Sequence, residues 1–125
     1  MRKRSVCIIF LLFCVLFTAC NSQSIENPDQ LQKFIDKYIA LTQKAVEGKD
    51  IKLAREIWSK ITEYGLKAKE MDKKELADSL GKLAATYSYL VEYINTGDKT
   101  QLSLFEDNFN KAVYLLREYV SFKSR

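Results

Sequence analysis

Apolar residues recur along most of this chain at alternating spacings of three and four, in four segments separated by short polar breaks. This spacing places apolar side chains on one stripe of an α-helix, so four helices of about 20 residues are predicted. The predicted stripes are Leu31, Phe34, Tyr38, Leu41 and Ala45 in the first helix; Ala54, Ile57, Ile61, Tyr64, Ala68 and Met71 in the second; Leu76, Leu80, Leu83, Tyr87, Leu90 and Ile94 in the third; and Leu102, Phe105, Phe109, Ala112, Leu116 and Tyr119 in the fourth.

Capping residues and glycines indicate where the helices begin and end. Asn27 followed by Pro28 is the pattern of an N-cap and a first-turn proline, and Gln30 is placed as its capping-box partner. The first helix then ends at Gly48. The same signals predict the later boundaries: Asp50 caps the second helix, Asp72 with Glu75 forms a capping box for the third, Gly97 ends the third, and Asp98 or Thr100 caps the fourth.

Short links between helices of similar length favour antiparallel neighbours, so the predicted fold is an all-α, antiparallel four-helix bundle over residues 28–125. The first hairpin aligns with the second when Gly48 is placed over Gly97. The stripe residues Leu31, Phe34, Tyr38 and Leu41 then fall on Leu80, Leu83, Tyr87 and Leu90. Two explanations of this match remain open. One is an internal duplication, and the other is the regular spacing that any two heptad-patterned hairpins share.

The first 20 residues follow a different pattern. A basic cluster, Arg2 to Arg4, precedes an apolar run from Val6 to Phe17, which is the layout of a secretory signal peptide. The run is shorter than the roughly 20 apolar residues that a membrane-spanning helix needs, so a retained signal anchor is the weaker alternative. The segment Leu16-Phe17-Thr18-Ala19-Cys20 resembles the lipobox of bacterial lipoproteins, with phenylalanine at the position where leucine is most often found.

This resemblance implies cleavage before Cys20, which makes residues 1–19 a signal peptide, and attachment of lipid to the Cys20 thiol. An ordinary secretory cleavage after Ala19 or Ser22 is the alternative. Residues 20–27 are polar apart from Ile25 and are predicted to form a lipidated tether. The resemblance also implies a location in the bacterial cell envelope. Asn21 favours the outer membrane, because enteric bacteria retain lipoproteins at the inner membrane with an aspartate at this position.

Removal of the signal peptide changes the charge and the cysteine content of the chain. The full sequence of 125 residues has a net charge of +4, but without its three N-terminal basic residues 17 Lys and Arg remain against 16 Asp and Glu. A nearly neutral chain has no general electrostatic reason to bind nucleic acid or an anionic membrane. Cys7 and Cys14 are removed as well, so Cys20 alone remains and no disulfide can form within one mature chain.

The sequence offers little for catalysis or cofactor binding. It contains no histidine, which removes the commonest general base and the commonest metal ligand. The acidic residues, such as Asp36, Glu63 and Glu92, lie off the predicted apolar stripes and are expected on solvated helix faces. No glycine-rich phosphate loop is present. We therefore predict no catalytic residue, no metal site and no cofactor, and expect a protein that is not an enzyme.

Four aromatic residues, Trp58, Tyr89, Tyr93 and Tyr114, fall beside the stripes and are the remaining candidates for binding. Exposed and clustered rings would favour contact with a protein partner, whereas wide stripes would make them the sealed edge of the core. The leading hypothesis is a lipid-anchored binding or assembly module. The alternative is a carrier that holds an apolar ligand in a cavity lined by Phe34, Tyr38, Leu83 and Tyr87.

Overall fold

A computed structural model of the chain describes residues 24–124, and within that range the polypeptide forms four helices and no strand. The helices are α1 (Pro28–Gly48), α2 (Ile51–Glu70), α3 (Lys74–Thr96) and α4 (Lys99–Lys123). The prediction of an all-α four-helix bundle is confirmed. No helix between residues 24 and 124 is both long enough and apolar enough to cross a membrane. The predicted signal peptide and Cys20 lie outside the described residues.

The core is built from the predicted stripes. Most stripe residues are buried, and the exceptions, which are half-buried at the edges of the core, are Leu41, Met71, Ile94, Leu102, Phe109 and Tyr119. The core is wider than the stripes, because it also contains Ile35, Thr42, Ala84, Thr86 and Val120. In α4 only four residues are buried, so this helix keeps much of its surface in water.

Helix α3 is the central element of the bundle, because it packs closely against both α2 and α4, whereas α1 lies further from its neighbours. At the close approach of α2, a Cβ atom added to Gly65 would lie 3.6 Å from the Leu80 Cβ, an ordinary van der Waals distance. Large rings occupy the wider space beside α1, where the Phe34 ring centroid lies 4.6 Å from that of Tyr64. The two hairpins that the sequence aligns therefore pack differently.

Three of the predicted N-caps are observed. Asn27 Oδ1 accepts a hydrogen bond from the Gln30 amide, and Pro28 occupies the first turn. Asp50 caps α2 and Asp98 caps α4 in the same way. The second bond of this capping box, from the Asn27 amide to the Gln30 side-chain oxygen, is not made. That oxygen is buried and has no hydrogen-bond partner. Gly97 follows α3 in the left-handed conformation, as its predicted role requires.

The predicted capping box of Asp72 and Glu75 is wrong. The N-cap of α3 is Lys73, and no side chain accepts a capping hydrogen bond there. Asp72 instead adopts the left-handed conformation, with φ of 59°, and ends α2. The Asp72 amide donates to the Lys69 carbonyl and the Lys73 amide donates to the Ala68 carbonyl, which is the Schellman pattern. The C-terminus of α2 thus determines the conformation of Asp72, and the N-terminus of α3 does not.

The segment before α1 is attached to the bundle. Ile25, the one apolar residue of the predicted tether, is 1% exposed and belongs to the core. The Lys73 amino group also donates a hydrogen bond of 3.0 Å to the Glu26 carbonyl. Of the predicted tether, residues 25–27 therefore contact the bundle, and residues 20–23 lie outside the described residues.

One buried hydrogen bond crosses the core between α1 and α3. The Thr42 hydroxyl lies 2.8 Å from the Tyr87 hydroxyl and 2.6 Å from the Tyr38 carbonyl. Thr42 has one proton, which it donates to the Tyr38 carbonyl, so Tyr87 must donate its own proton to Thr42. Burial raises the pKa of the Tyr87 hydroxyl well above its usual range, and the bond to Thr42 lowers it only in part. Tyr87 therefore stays protonated and acts as a donor.

This donor assignment predicts unequal effects of removing the two hydroxyls. Replacing Thr42 with valine leaves the buried Tyr87 hydroxyl unpaired and should lower the free energy of unfolding by about 1–3 kcal/mol. Tyr87→Phe leaves the Thr42 donor paired and should cost about 0.5–1.5 kcal/mol. The double variant should lose less than the sum of the two, because it leaves no unpaired tyrosine hydroxyl. Urea unfolding of the four proteins measures this, and a loss in Tyr87→Phe equal to or larger than the loss in Thr42→Val would contradict the assignment.

Candidate functional site

The acidic side chains in the described part of the chain lie on its surface. Every aspartate and glutamate between residues 24 and 124 is exposed, as their positions off the apolar stripes predict. No group of three or more histidine, cysteine or acidic side chains lies close enough together in this range to hold a metal ion. Two ion pairs, Lys60 with Glu63 and Arg117 with Asp36, lie on the surface, where such pairs contribute little stability.

The four aromatic residues that the sequence singles out are distributed over different surfaces. Trp58 is half-buried beside a groove between α2 and α3. Tyr89 lines a second groove, between α3 and α4, of about 510 Å³. Tyr114 is 63% exposed and lies next to that groove, beside Leu115. Tyr93 is half-buried against the core, with the Lys49 amino group 5.8 Å from its ring centroid. Tyr89 thus lines the second groove, Tyr114 lies beside Leu115 at its edge, and Trp58 and Tyr93 are not among the residues that line it.

The residues expected to line a carrier cavity fill the space themselves. The Phe34 and Tyr38 ring centroids are 4.7 Å apart, and Tyr87 contacts the rings of Phe105 and Phe109. Burial, with smaller effects from Tyr64 and Glu63, raises the pKa of Tyr38 to about 12. Leu83 is buried as well. The aromatic contacts therefore form a packed core at the place where the carrier hypothesis needs a cavity.

The strongest candidate for a binding site is the groove between α2 and α3, which we call the α2–α3 groove. Its volume is about 770 Å³. Small residues form its floor, namely Gly65 of α2 and Ala77, Gly81, Ala84 and Ala85 of α3. Trp58 and Leu66 of α2 also line it, and Leu66 is 59% exposed. Four charged residues, Lys69, Asp72, Lys74 and Asp78, surround the end near the α2–α3 link.

The two glycines of this groove are not required by the fold. Gly65 and Gly81 both lie inside helices, and neither has the positive φ that favours glycine. A Cβ atom on Gly81 would meet no atom within 4 Å, and one on Gly65 would make ordinary van der Waals contacts. Glycine inside a helix costs about 1 kcal/mol relative to alanine. At two adjoining positions the chain thus carries glycine where alanine would give a more stable helix. The groove floor therefore has no side chain at these positions.

Sequence reasoning missed most of this groove. It selected Trp58 but neither Leu66 nor the two glycines, because apolar periodicity identifies the buried stripe and gives no weight to gaps on the surface. One signal was present in the sequence, since a glycine in the middle of a helical pattern indicates a packing or functional requirement. Only the structure shows that Gly65 and Gly81 adjoin the same groove.

Replacing Gly81 with alanine should stabilise the bundle. The added methyl group meets open space, and alanine has the higher helix propensity, so the free energy of unfolding should rise by about 0.5–1 kcal/mol. Gly97→Ala is the matched control, because Gly97 has φ of 74° and the same methyl group is strained there by about 1–2 kcal/mol. The midpoints of thermal and urea unfolding should therefore rise in Gly81→Ala and fall in Gly97→Ala. A destabilised Gly81→Ala would mean that the fold itself requires this glycine.

No protein-family model matches this chain, and no curated protein or solved structure matches it significantly.

Proposed function

We propose that this protein is an exported bacterial lipoprotein, held in the cell envelope by lipid on Cys20, whose helical bundle is a non-catalytic binding or assembly module. The lipobox-like residues Leu16 to Cys20 support the anchor, and Asn21 favours the outer membrane. The module binds a protein partner through the α2–α3 groove. The observation that carries this proposal is the pair of helix-interior glycines on the groove floor, which lower stability without serving the backbone.

The groove suits an amphipathic helix of the partner. Its floor on α3 includes Ala77, Gly81 and Ala85, each four residues apart, and this row spans about 12 Å along the helix axis. Small residues at this spacing let a second helix approach closely, and helices that bind in grooves insert apolar residues at spacings of three and four. Trp58 and Leu66, both on α2, would add apolar contact. Aromatic residues of this kind often dominate the binding energy of an interface.

Mass analysis of the mature N-terminus tests the anchor. The lipoprotein hypothesis expects a chain that begins at Cys20 and carries diacylglycerol on the thiol, because the lipobox resemblance places the cleavage before that residue. A Cys20→Ala variant is the control and should lose both the lipid mass and the cleavage. A mature chain that begins at Gln23, or an unmodified Cys20, would contradict the proposed anchor while leaving the groove untouched.

Photo-crosslinking in the native membrane tests the groove. A photoreactive amino acid is placed at Leu66, and separately at Leu104, an exposed leucine of α4 that serves as the matched control. Position 66 should capture one specific protein through an amphipathic helix, which mass spectrometry of the crosslinked peptide identifies, and position 104 should not capture it.

A second variant shows whether such capture depends on the groove. Gly81→Leu should abolish the crosslink at position 66, because its side chain fills the space above the groove floor. Circular dichroism and thermal unfolding confirm that this variant is folded. Equal capture at positions 66 and 104, or a crosslink that persists in folded Gly81→Leu, would overturn the binding proposal.

A further inference from the structure

The end of the bundle where the described chain begins has an exposed aromatic ring. A cavity of about 500 Å³ at this end, which we call the N-terminal cavity, is lined by Ile25 before α1, by the α2–α3 link and by the last turns of α4. Phe122 lines it too and is 70% exposed, the highest exposure among the large apolar side chains described between residues 24 and 124. The Lys123 amino group lies 5.9 Å from the centroid of the Phe122 ring.

We propose that this end of the bundle rests on the lipid bilayer, with the Phe122 ring inserted among the lipid headgroups. This inference deepens the proposed function and rests on the proposed lipid anchor at Cys20. The exposed ring is covered by the interfacial layer of the same membrane that holds the Cys20 lipid. A second copy of the chain is the competing occupant and is an outcome of the test below.

The length of chain between the anchor and the bundle carries the argument. Ile25 is held in the core, so the chain leaves the bundle at Ser24, four residues after Cys20. Four residues span at most about 15 Å. Lipid on Cys20 must reach the hydrocarbon, and the headgroup layer on each side of a bilayer is roughly 5–8 Å thick. Little length then remains to hold this end of the bundle away from the surface.

The chemistry of this end agrees with a lipid headgroup layer. Three basic residues around the N-terminal cavity, Lys73, Lys74 and Lys123, balance three acidic ones, Glu26, Asp72 and Glu75, so an anionic surface is not repelled. An amino group above an aromatic ring suits an interface, because the ring enters the apolar boundary while the long lysine side chain keeps its charge among the phosphates. Phe122 and Lys123 form such a pair.

A depth measurement on the intact lipoprotein tests this orientation. The mature chain has no other free thiol once Cys20 carries lipid, so a single cysteine introduced at Ser124 can be spin-labelled and Phe122 left in place. Ser103→Cys, an exposed serine near the opposite end of α4 and about 31 Å away along the axis, is the matched control. Both proteins are reconstituted in vesicles of phosphatidylethanolamine and phosphatidylglycerol, and collision of the label with oxygen and with a water-soluble nickel complex is compared.

The label at position 124 should collide severalfold more with oxygen relative to nickel than the label at position 103. Adding Phe122→Asp should return the label at position 124 to the values of position 103 while the protein still floats with the vesicles. Equal, water-like values at both positions, no effect of Phe122→Asp, or dipolar broadening between labels on two copies would overturn the inference. A protein that does not float with the vesicles would instead show that the lipid anchor itself is wrong.

Discussion

The bundle depends most on the buried contacts of Tyr87, the side chain that joins three of its four helices. Its ring packs against Phe105 and Phe109 of α4, and its hydroxyl donates to Thr42 of α1. A buried hydroxyl without a partner is costly, so α1 can dock only in the register that brings Thr42 to this position. This constraint matters because α1 lies further from its neighbours than α2 and α4 lie from α3. A directional bond thus supplies the specificity that loose helix packing alone does not.

The same central helix shapes the surface. Because α3 packs closely against α2, small residues must lie near their contact, and Gly65 and Gly81 extend this series onto the groove floor. Core packing explains the alanines that are buried, such as Ala84, but it does not explain a glycine that a methyl group could replace without contact. A trade of stability for function is one reason that natural chains keep such positions.

The position of Ile25 gives the bundle a direction relative to the proposed anchor. Since this residue is buried beside the ends of α2 and α4, a lipid on Cys20, as proposed, would lie at that end of the molecule. Asp72 and Lys74 line both the N-terminal cavity and the α2–α3 groove, so the groove opens toward the same end. A partner held in the same membrane would therefore meet the groove from the side on which Phe122 is proposed to meet the lipid.

The sequence by itself determined the number of helices, the composition of their buried stripes and most of their ends, because these follow from local periodicity and capping chemistry. Asn27, Asp50, Asp98 and Gly97 act where the pattern predicted. Asp72 did not, because a residue between two helices can end one or begin the other, and the hydrogen bonds of the preceding helix decided this. The site depended on tertiary structure. The rotation and separation of neighbouring helices decide which residues outside the stripes share a groove. Contacts between residues far apart in sequence set this geometry, and the bond between Thr42 and Tyr87, 45 residues apart, is an example.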